Sequence, residues 1–185
     1  MSTKRSDAAE PCVVDLPALC RHGQAVHGHW ALARMARLAE GLCGPPGASD
    51  LVTWSARGSL QPVAGSEAQL WLDLHIHTRL LLQCQRCLQP MLQELALDRR
   101  LRFVRGEDEA ARLDEESEDD VLALPAQLDL SVLVEDELIL ALPLVPRHEQ
   151  CSPPLPVVDR VADETGDEAP HPFAALEALR RRRTS

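Results

Sequence analysis

The sequence contains little of what several classes of protein require. It has no tyrosine, two phenylalanines and three tryptophans, which argues against an RNA-recognition sheet that stacks bases on aromatic side chains. Its longest apolar run, 138–146, is far shorter than the roughly 20 residues of a membrane-spanning helix. No secretory apolar segment follows the N-terminus. These absences predict a cytoplasmic protein with no membrane partner, and its 185 residues suffice for one domain with tails.

Basic residues are outnumbered by acidic ones, and the acidic residues are unevenly distributed along the chain. The chain has 29 acidic and 19 basic residues, a net charge of −10, which argues against a protein that coats nucleic acid with its whole surface. Segment 107–120 holds nine carboxylates and one arginine, Arg112. Because like charges repel and cannot pack, we expect this segment to be a mobile acidic loop.

Two alternating segments predict a long antiparallel hairpin. Apolar residues recur at every second position over 70–82 and again over 91–103, where Arg99 is one of two interruptions. The connecting segment 84–90 reads CQRCLQP, and Pro90 suits the end of the turn because it cannot donate a ladder hydrogen bond. The hairpin therefore carries a Cys-x-x-Cys pair at its tip.

Other patterns predict the elements that accompany the hairpin. Residues 30–42 and 129–142 show apolar residues at helical spacing, and a third, short helix begins at Pro172. Short strands are predicted at 51–56 and 60–63. The fold class is therefore α+β: an antiparallel sheet built on the long hairpin and packed by two or three helices, with a flexible acidic loop and a C-terminal tail.

The same patterns divide the chain into a domain and its tails. We expect an N-terminal arm over 1–20 and a single α+β domain over 21–146. A proline- and acid-rich linker follows over 147–171. Residues 172–185 form a short amphipathic helix with an arginine tail.

The six cysteines do not form a disulfide scaffold, so in a reducing compartment they are free thiols or metal ligands. Cys84 and Cys87 admit three interpretations: a redox dithiol, half of a zinc site, or free thiols with a structural role. A redox dithiol usually lies at a helix N-terminus, which lowers a thiol pKa, whereas this pair lies between two strands. His148 and Cys151 have the same two-residue gap and would complete a Cys3His zinc site.

Other reactive residues give weaker signals. His75 and His77 lie near Asp73 on the polar face of the first hairpin strand and are interpreted as surface histidines, as are His27 and His29. The sequence shows no recognisable Ser/His/Asp catalytic-triad arrangement, no Gly-rich phosphate-binding loop and no HExxH metal-binding motif. The residues alone therefore indicate a soluble cytoplasmic α+β domain with a cysteine pair, and no motif in them points to an enzyme or to a small-molecule substrate.

Three segments together resemble the YceD family, the large ribosomal RNA subunit accumulation proteins of bacteria and plastids. They are CQRC at 84–87, LVEDELILALPLVP at 133–146 followed by His148 and Cys151, and PFAAL at 172–176. The resemblance covers roughly residues 50–185 and implies a non-enzymatic role in the synthesis, processing or stability of 23S ribosomal RNA. The alternative is a zinc-binding protein-interaction module without an RNA role.

The resemblance implies precursor 23S ribosomal RNA or large-subunit ribosomal proteins as partners. Because a net-acidic protein cannot hold RNA by bulk charge, we expect any RNA contact to be local. The candidate RNA contacts are four consecutive arginines near the C-terminus, Arg180, Arg181, Arg182 and Arg183. A candidate partner surface is the acidic turn of the second predicted helix, Glu135, Asp136 and Glu137.

Overall fold

The computed structural model describes residues 12–65 and 67–151. The chain divides into two units, residues 1–154 and 155–185, and all described residues belong to the first. The predicted helix from Pro172, most of the predicted linker and the four C-terminal arginines lie outside the described residues. In chain order the elements are β1 (Val13–Val14), α1 (Leu16–Arg21), β2 (Ala25–Ala31), α2 (Ala36–Glu40), β3 (Leu51–Gln61), β4 (Gln69–Gln83), β5 (Pro90–Val104), α3 (Glu107–Glu116), β6 (Asp120–Ala123), β7 (Leu128–Asp129) and α4 (Leu130–Leu140), with a 3-10 helix at Leu32–Arg34.

The architecture is α+β, as predicted. The main sheet has the order β2-β3-β4-β5-β6, with antiparallel pairs except for the parallel pair β5–β6, and β1 pairs with β7 in a second, two-stranded sheet. The predicted hairpin is β4–β5, whose register runs from Leu70 opposite Phe103 to Gln83 opposite Pro90. Pro90 therefore occupies the turn end of the ladder, where the missing N–H costs least.

One apolar core joins the inner face of the sheet to helices α1 and α4. The even-numbered positions 72–82 of β4 are all buried, whereas the odd-numbered positions 75–83 are exposed, as the alternation predicts. From α4, Leu130, Val134 and Leu138 contribute fully buried side chains. Asp129 caps this helix by accepting a hydrogen bond from the N–H of Ser131 at 2.8 Å.

The two short strands predicted at 51–56 and 60–63 are one strand, because β3 runs without interruption through Gly58, which lies between them. A Cβ at this position would lie 2.7 Å from the backbone nitrogen of Cys20 and 2.8 Å from the carbonyl carbon of Leu19. The glycine therefore permits helix α1 to lie directly on the strand.

Helix α1 also shows that the domain core begins within the segment expected to be an N-terminal arm. Its Leu16, Leu19 and Cys20 side chains are buried in the core. Asp15 caps the helix by accepting a hydrogen bond from the N–H of Ala18 at 2.9 Å. Sequence analysis missed this helix because it has only six residues, too few to display a helical period.

The predicted helix over 30–42 is wrong in its first part. Trp30 lies in β2, where its ring stacks on that of Trp54 with the centroids 4.4 Å apart. The apolar residues that follow are shared between the 3-10 helix and the short α2. Their spacing resembles that of one helix, but Met35 has ψ 80°, outside the helical region, and separates the two.

The acidic segment expected to be a mobile loop contains helix α3. Its first turn carries three carboxylates, which the positive end of the helix dipole favours. Arg112 bridges Glu109 at 2.8 Å and Glu116 at 2.6 Å, the spacings at which side chains meet on one helix face. Ala110 is buried and anchors the helix. The loop prediction was therefore wrong because it counted the repulsion and not these local pairs.

Candidate metal centre

The tip of the β4–β5 hairpin is a tight turn that brings Cys84 and Cys87 together. The N–H of Leu88 donates to the carbonyl of Cys84 at 2.9 Å, and the N–H of Cys84 donates to the carbonyl of Gln89 at 3.0 Å. Leu88 itself has a φ of +60°, a left-handed conformation that a non-glycine residue rarely adopts. Both thiols are buried at this turn.

The second pair of ligands reaches the tip along the segment that follows α4. The N–H of Gln85 donates to the carbonyl of Pro146 at 2.8 Å, which ties this segment across the turn. The N–H of His148 donates to the sulfur of Cys84 at 3.4 Å. Two positions more than 60 residues apart in sequence, Cys87 and His148, are thereby adjacent.

The four predicted ligand residues form one compact cluster. The ligand atoms of Cys84, Cys87, His148 and Cys151 all lie within 4.8 Å of one another. The sulfurs of Cys84 and Cys151 are 3.7 Å apart, and the sulfur of Cys87 is 3.3 Å from Nδ1 of His148. A tetrahedral zinc ion requires about 3.8 Å between two sulfurs and about 3.6 Å between sulfur and nitrogen. These two separations are within about 0.3 Å of the values for zinc, so the residues present fit a zinc ion.

The electrostatics of the cluster favour a cation. Burial alone would raise the pKa of Cys84, but hydrogen bonds from the backbone of Cys87, His148 and Arg86 outweigh it and lower the pKa to about 5. The backbone N–H of Gln89 lowers the pKa of Cys87. Burial and the neighbouring thiols raise it by more, so the pKa of Cys87 lies above the ordinary thiol value. A divalent ion bound at the cluster would supply positive charge next to its sulfur ligands.

Arg86 is a residue of this site that sequence reasoning missed. Its Nε donates to the sulfur of Cys151 at 2.9 Å, and one terminal nitrogen donates to the carbonyls of His148 and Glu149 at 3.2 and 3.4 Å. The sequence signal for Arg86 was its position between the two tip cysteines, which places a cation next to them. The contact partners, over 60 residues away, were not visible in the pattern.

The acidic turn predicted as a partner surface makes intramolecular contacts. Glu135 accepts hydrogen bonds from the N–H groups of Arg37 and Leu38 at 2.9 and 3.2 Å, which caps helix α2, and Asp136 pairs with the Arg37 guanidinium. Glu137 is 8% exposed, so it does not present a surface to a partner.

Glu137 also accounts for the charged interruption in the second hairpin strand. Its carboxylate accepts a hydrogen bond from Nε of Arg99 at 2.9 Å. Burial raises the pKa of Glu137 and the Arg99 charge opposes that rise. The arginine on the apolar face of β5 is therefore the partner of an acid on α4.

The histidines of the outer sheet face are surface residues, as interpreted from the alternation. His75 pairs with Asp98 on the neighbouring strand, and His77 pairs with Glu94, and both histidine side chains are more than half exposed. In residues 12–65 and 67–151, the cysteine–histidine cluster is the one group of three or more side chains with metal-binding spacing.

The fold and the site define an α+β protein with a Cys3His cluster at the tip of its central hairpin. Residues 72–180 match the family described as "Large ribosomal RNA subunit accumulation protein YceD". Over 158 residues the chain is 33% identical to the large ribosomal RNA subunit accumulation protein YceD of Haemophilus influenzae. The aligned residues make up 84% of this chain and 87% of that protein. The chain therefore belongs to the YceD family.

No solved structure matches the chain. None of the helices in the described part of the chain combines the length and apolar character that crossing a membrane requires.

Proposed function

We propose that this protein acts in the cytoplasm, without catalysis, in the synthesis, processing or stability of 23S ribosomal RNA. The observation that carries the proposal is membership of a family named for accumulation of large ribosomal subunit RNA. Precursor 23S ribosomal RNA or large-subunit ribosomal proteins are the proposed partners. The arginines at 180–183 remain the proposed RNA contact.

The role of the tip cluster in this proposal is to hold a structural zinc ion. Structural zinc sites have four protein ligands, whereas catalytic sites keep one position open for water or substrate. Here Cys84, Cys87, His148 and Cys151 supply all four positions. A bound zinc would fix the segment 141–151, which leaves helix α4, against the turn of the hairpin.

A deletion strain complemented with variants tests the proposal. We expect loss of the protein to lower the ratio of 23S to 16S ribosomal RNA, and we expect Cys84→Ser to restore that ratio less well than the wild type. Cys43→Ser is the matched control, because Cys43 is a partly buried thiol outside the cluster. Protein levels are compared by immunoblot. An unchanged ratio in the deletion strain would contradict the RNA role.

The geometry of the cluster favours a second candidate, a zinc-dependent interaction module without an RNA role. This candidate predicts one zinc per chain in protein purified without chelators, together with a normal ratio of 23S to 16S ribosomal RNA in the deletion strain. The first proposal predicts a lowered ratio. Both candidates include a bound zinc, so the ratio of 23S to 16S ribosomal RNA separates them and metal analysis tests the zinc site that they share.

A further inference from the structure

We propose that Arg86 is a positioning residue of the metal centre, which holds Cys151 in place as a ligand and balances the charge of the loaded site. This inference rests on the proposed zinc site. It goes further by assigning a role to a side chain that is not itself a ligand.

Arg86 acts as a clamp, by which we mean that its side chain donates hydrogen bonds to the segment that carries the ligands His148 and Cys151. The guanidinium reaches three acceptors, the sulfur of Cys151 and the carbonyls of His148 and Glu149. These acceptors come together only when the segment 148–151 is folded across the hairpin tip. The planar guanidinium presents several donors in a fixed arrangement, so one side chain can select this folded arrangement. Arg86 therefore favours ligand geometry before any metal arrives.

Arg86 also balances the charge of the loaded site. Three thiolates, one neutral imidazole and a Zn²⁺ ion leave one formal negative charge on the site. The guanidinium, whose Nε lies 2.9 Å from the sulfur of Cys151, neutralises that charge. A charged donor to a thiolate also stabilises it as a ligand, because hydrogen bonds with an ionised partner are the stronger ones.

The chain offers a matched control in Arg147. This arginine is exposed and lies beside His148 in sequence, so it brings the same charge to the same region. Among the described residues it has no ion pair or side-chain hydrogen bond to the cluster. A comparison of the two arginines separates a specific contact from the general effect of positive charge.

The experiment is a titration of the full-length, metal-free protein with Co²⁺, whose absorption reports tetrahedral geometry and the number of bound thiolates. We expect Arg86→Gln to weaken Co²⁺ binding about 10- to 100-fold, the usual effect of losing a residue that supports a metal ligand. Its thiolate charge-transfer band should fall to that of Cys151→Ser. Arg86→Lys keeps the charge without the planar donors, so it should recover only part of the affinity. Arg147→Gln should bind like the wild type.

The outcomes distinguish the role of Arg86 from the existence of the metal site. If the wild type binds Co²⁺ and Arg86→Gln matches it in affinity and thiolate band, the role of Arg86 is overturned and the metal site stands. Equal weakening by Arg86→Gln and Arg147→Gln, with full recovery in Arg86→Lys, would reduce the effect to bulk charge and overturn the clamp. A wild type that binds no Co²⁺ overturns the metal site, and the inference with it. Far-UV circular dichroism of the metal-free variants checks their folding.

Discussion

The body and the tip of the central hairpin are held in place by different chemistry. In the body, fully buried apolar residues such as Leu72, Leu74 and Leu101 pack against helices α1 and α4. At the tip, the contacts between the turn 84–89 and the segment 143–151 are made by sulfur, imidazole, guanidinium and backbone groups. Apolar packing stabilises the body without a ligand, whereas at the tip the proposed metal ion would add the bonds that join the two segments.

The largest expected effect on stability is in the body. Leu138→Ala should lower the free energy of unfolding by about 2–5 kcal/mol, because it removes a fully buried side chain and leaves a cavity. Leu140→Ala, on the same helix but at a side chain 75% exposed, should change it by less than about 0.5 kcal/mol. Urea unfolding of the metal-free proteins measures both. Equal effects of the two substitutions would mean that α4 does not pack as described.

A smaller effect is expected where a polar side chain supports the body. Glu135→Ala should cost about 1–2 kcal/mol, because it removes the acceptor of two N–H groups in the first turn of α2 together with an ion pair to the Arg37 guanidinium. Asp136→Ala removes only an exposed pair with Arg37 and should cost less than about 0.5 kcal/mol. Thermal unfolding of the two variants compares them. A neutral Glu135→Ala would show that the apolar core alone positions α2.

The smallest effect on global stability, and the most local, is expected at the tip. The lowered pKa of Cys84, about 5, means that the folded metal-free state binds fewer protons than the unfolded state between pH 5 and the ordinary thiol range. The stabilisation from this thiolate is therefore complete above the unfolded pKa and is lost as the pH falls toward 5. Hydrogen exchange of residues 143–151, corrected for the intrinsic pH dependence, should show protection that rises with pH.

Cys84→Ser provides the control for this pH dependence, since a hydroxyl does not ionise in that range. The variant should lose the pH dependence at 143–151 and keep the protection of β4 and β5. A pH dependence that persists in Cys84→Ser would assign the effect to another group. Loss of protection throughout the sheet would remove the distinction between body and tip.

Sequence patterns predicted the features that a repeated spacing marks. The period of two in 70–82 and 91–103 predicted the hairpin, and the matching two-residue gaps predicted that Cys84, Cys87, His148 and Cys151 would meet although they are distant in sequence. The patterns failed where a distant partner decides the structure and no repeated spacing marks it. Gly58 leaves room for the backbone of α1, and Glu137 accepts a hydrogen bond from Arg99 on β5. Neither partner is visible in the neighbouring sequence.

The parallel pairing of β5 and β6 has a kinetic consequence. Parallel neighbours require the chain to return to the same end of the sheet, and here the return passes through the acidic helix α3. The helix that carries these carboxylates therefore has a fixed place beside the sheet. A fixed cluster of one charge sign is the kind of surface that raises the encounter rate of oppositely charged molecules. Salt shortens the reach of such a cluster to about 8 Å at physiological ionic strength.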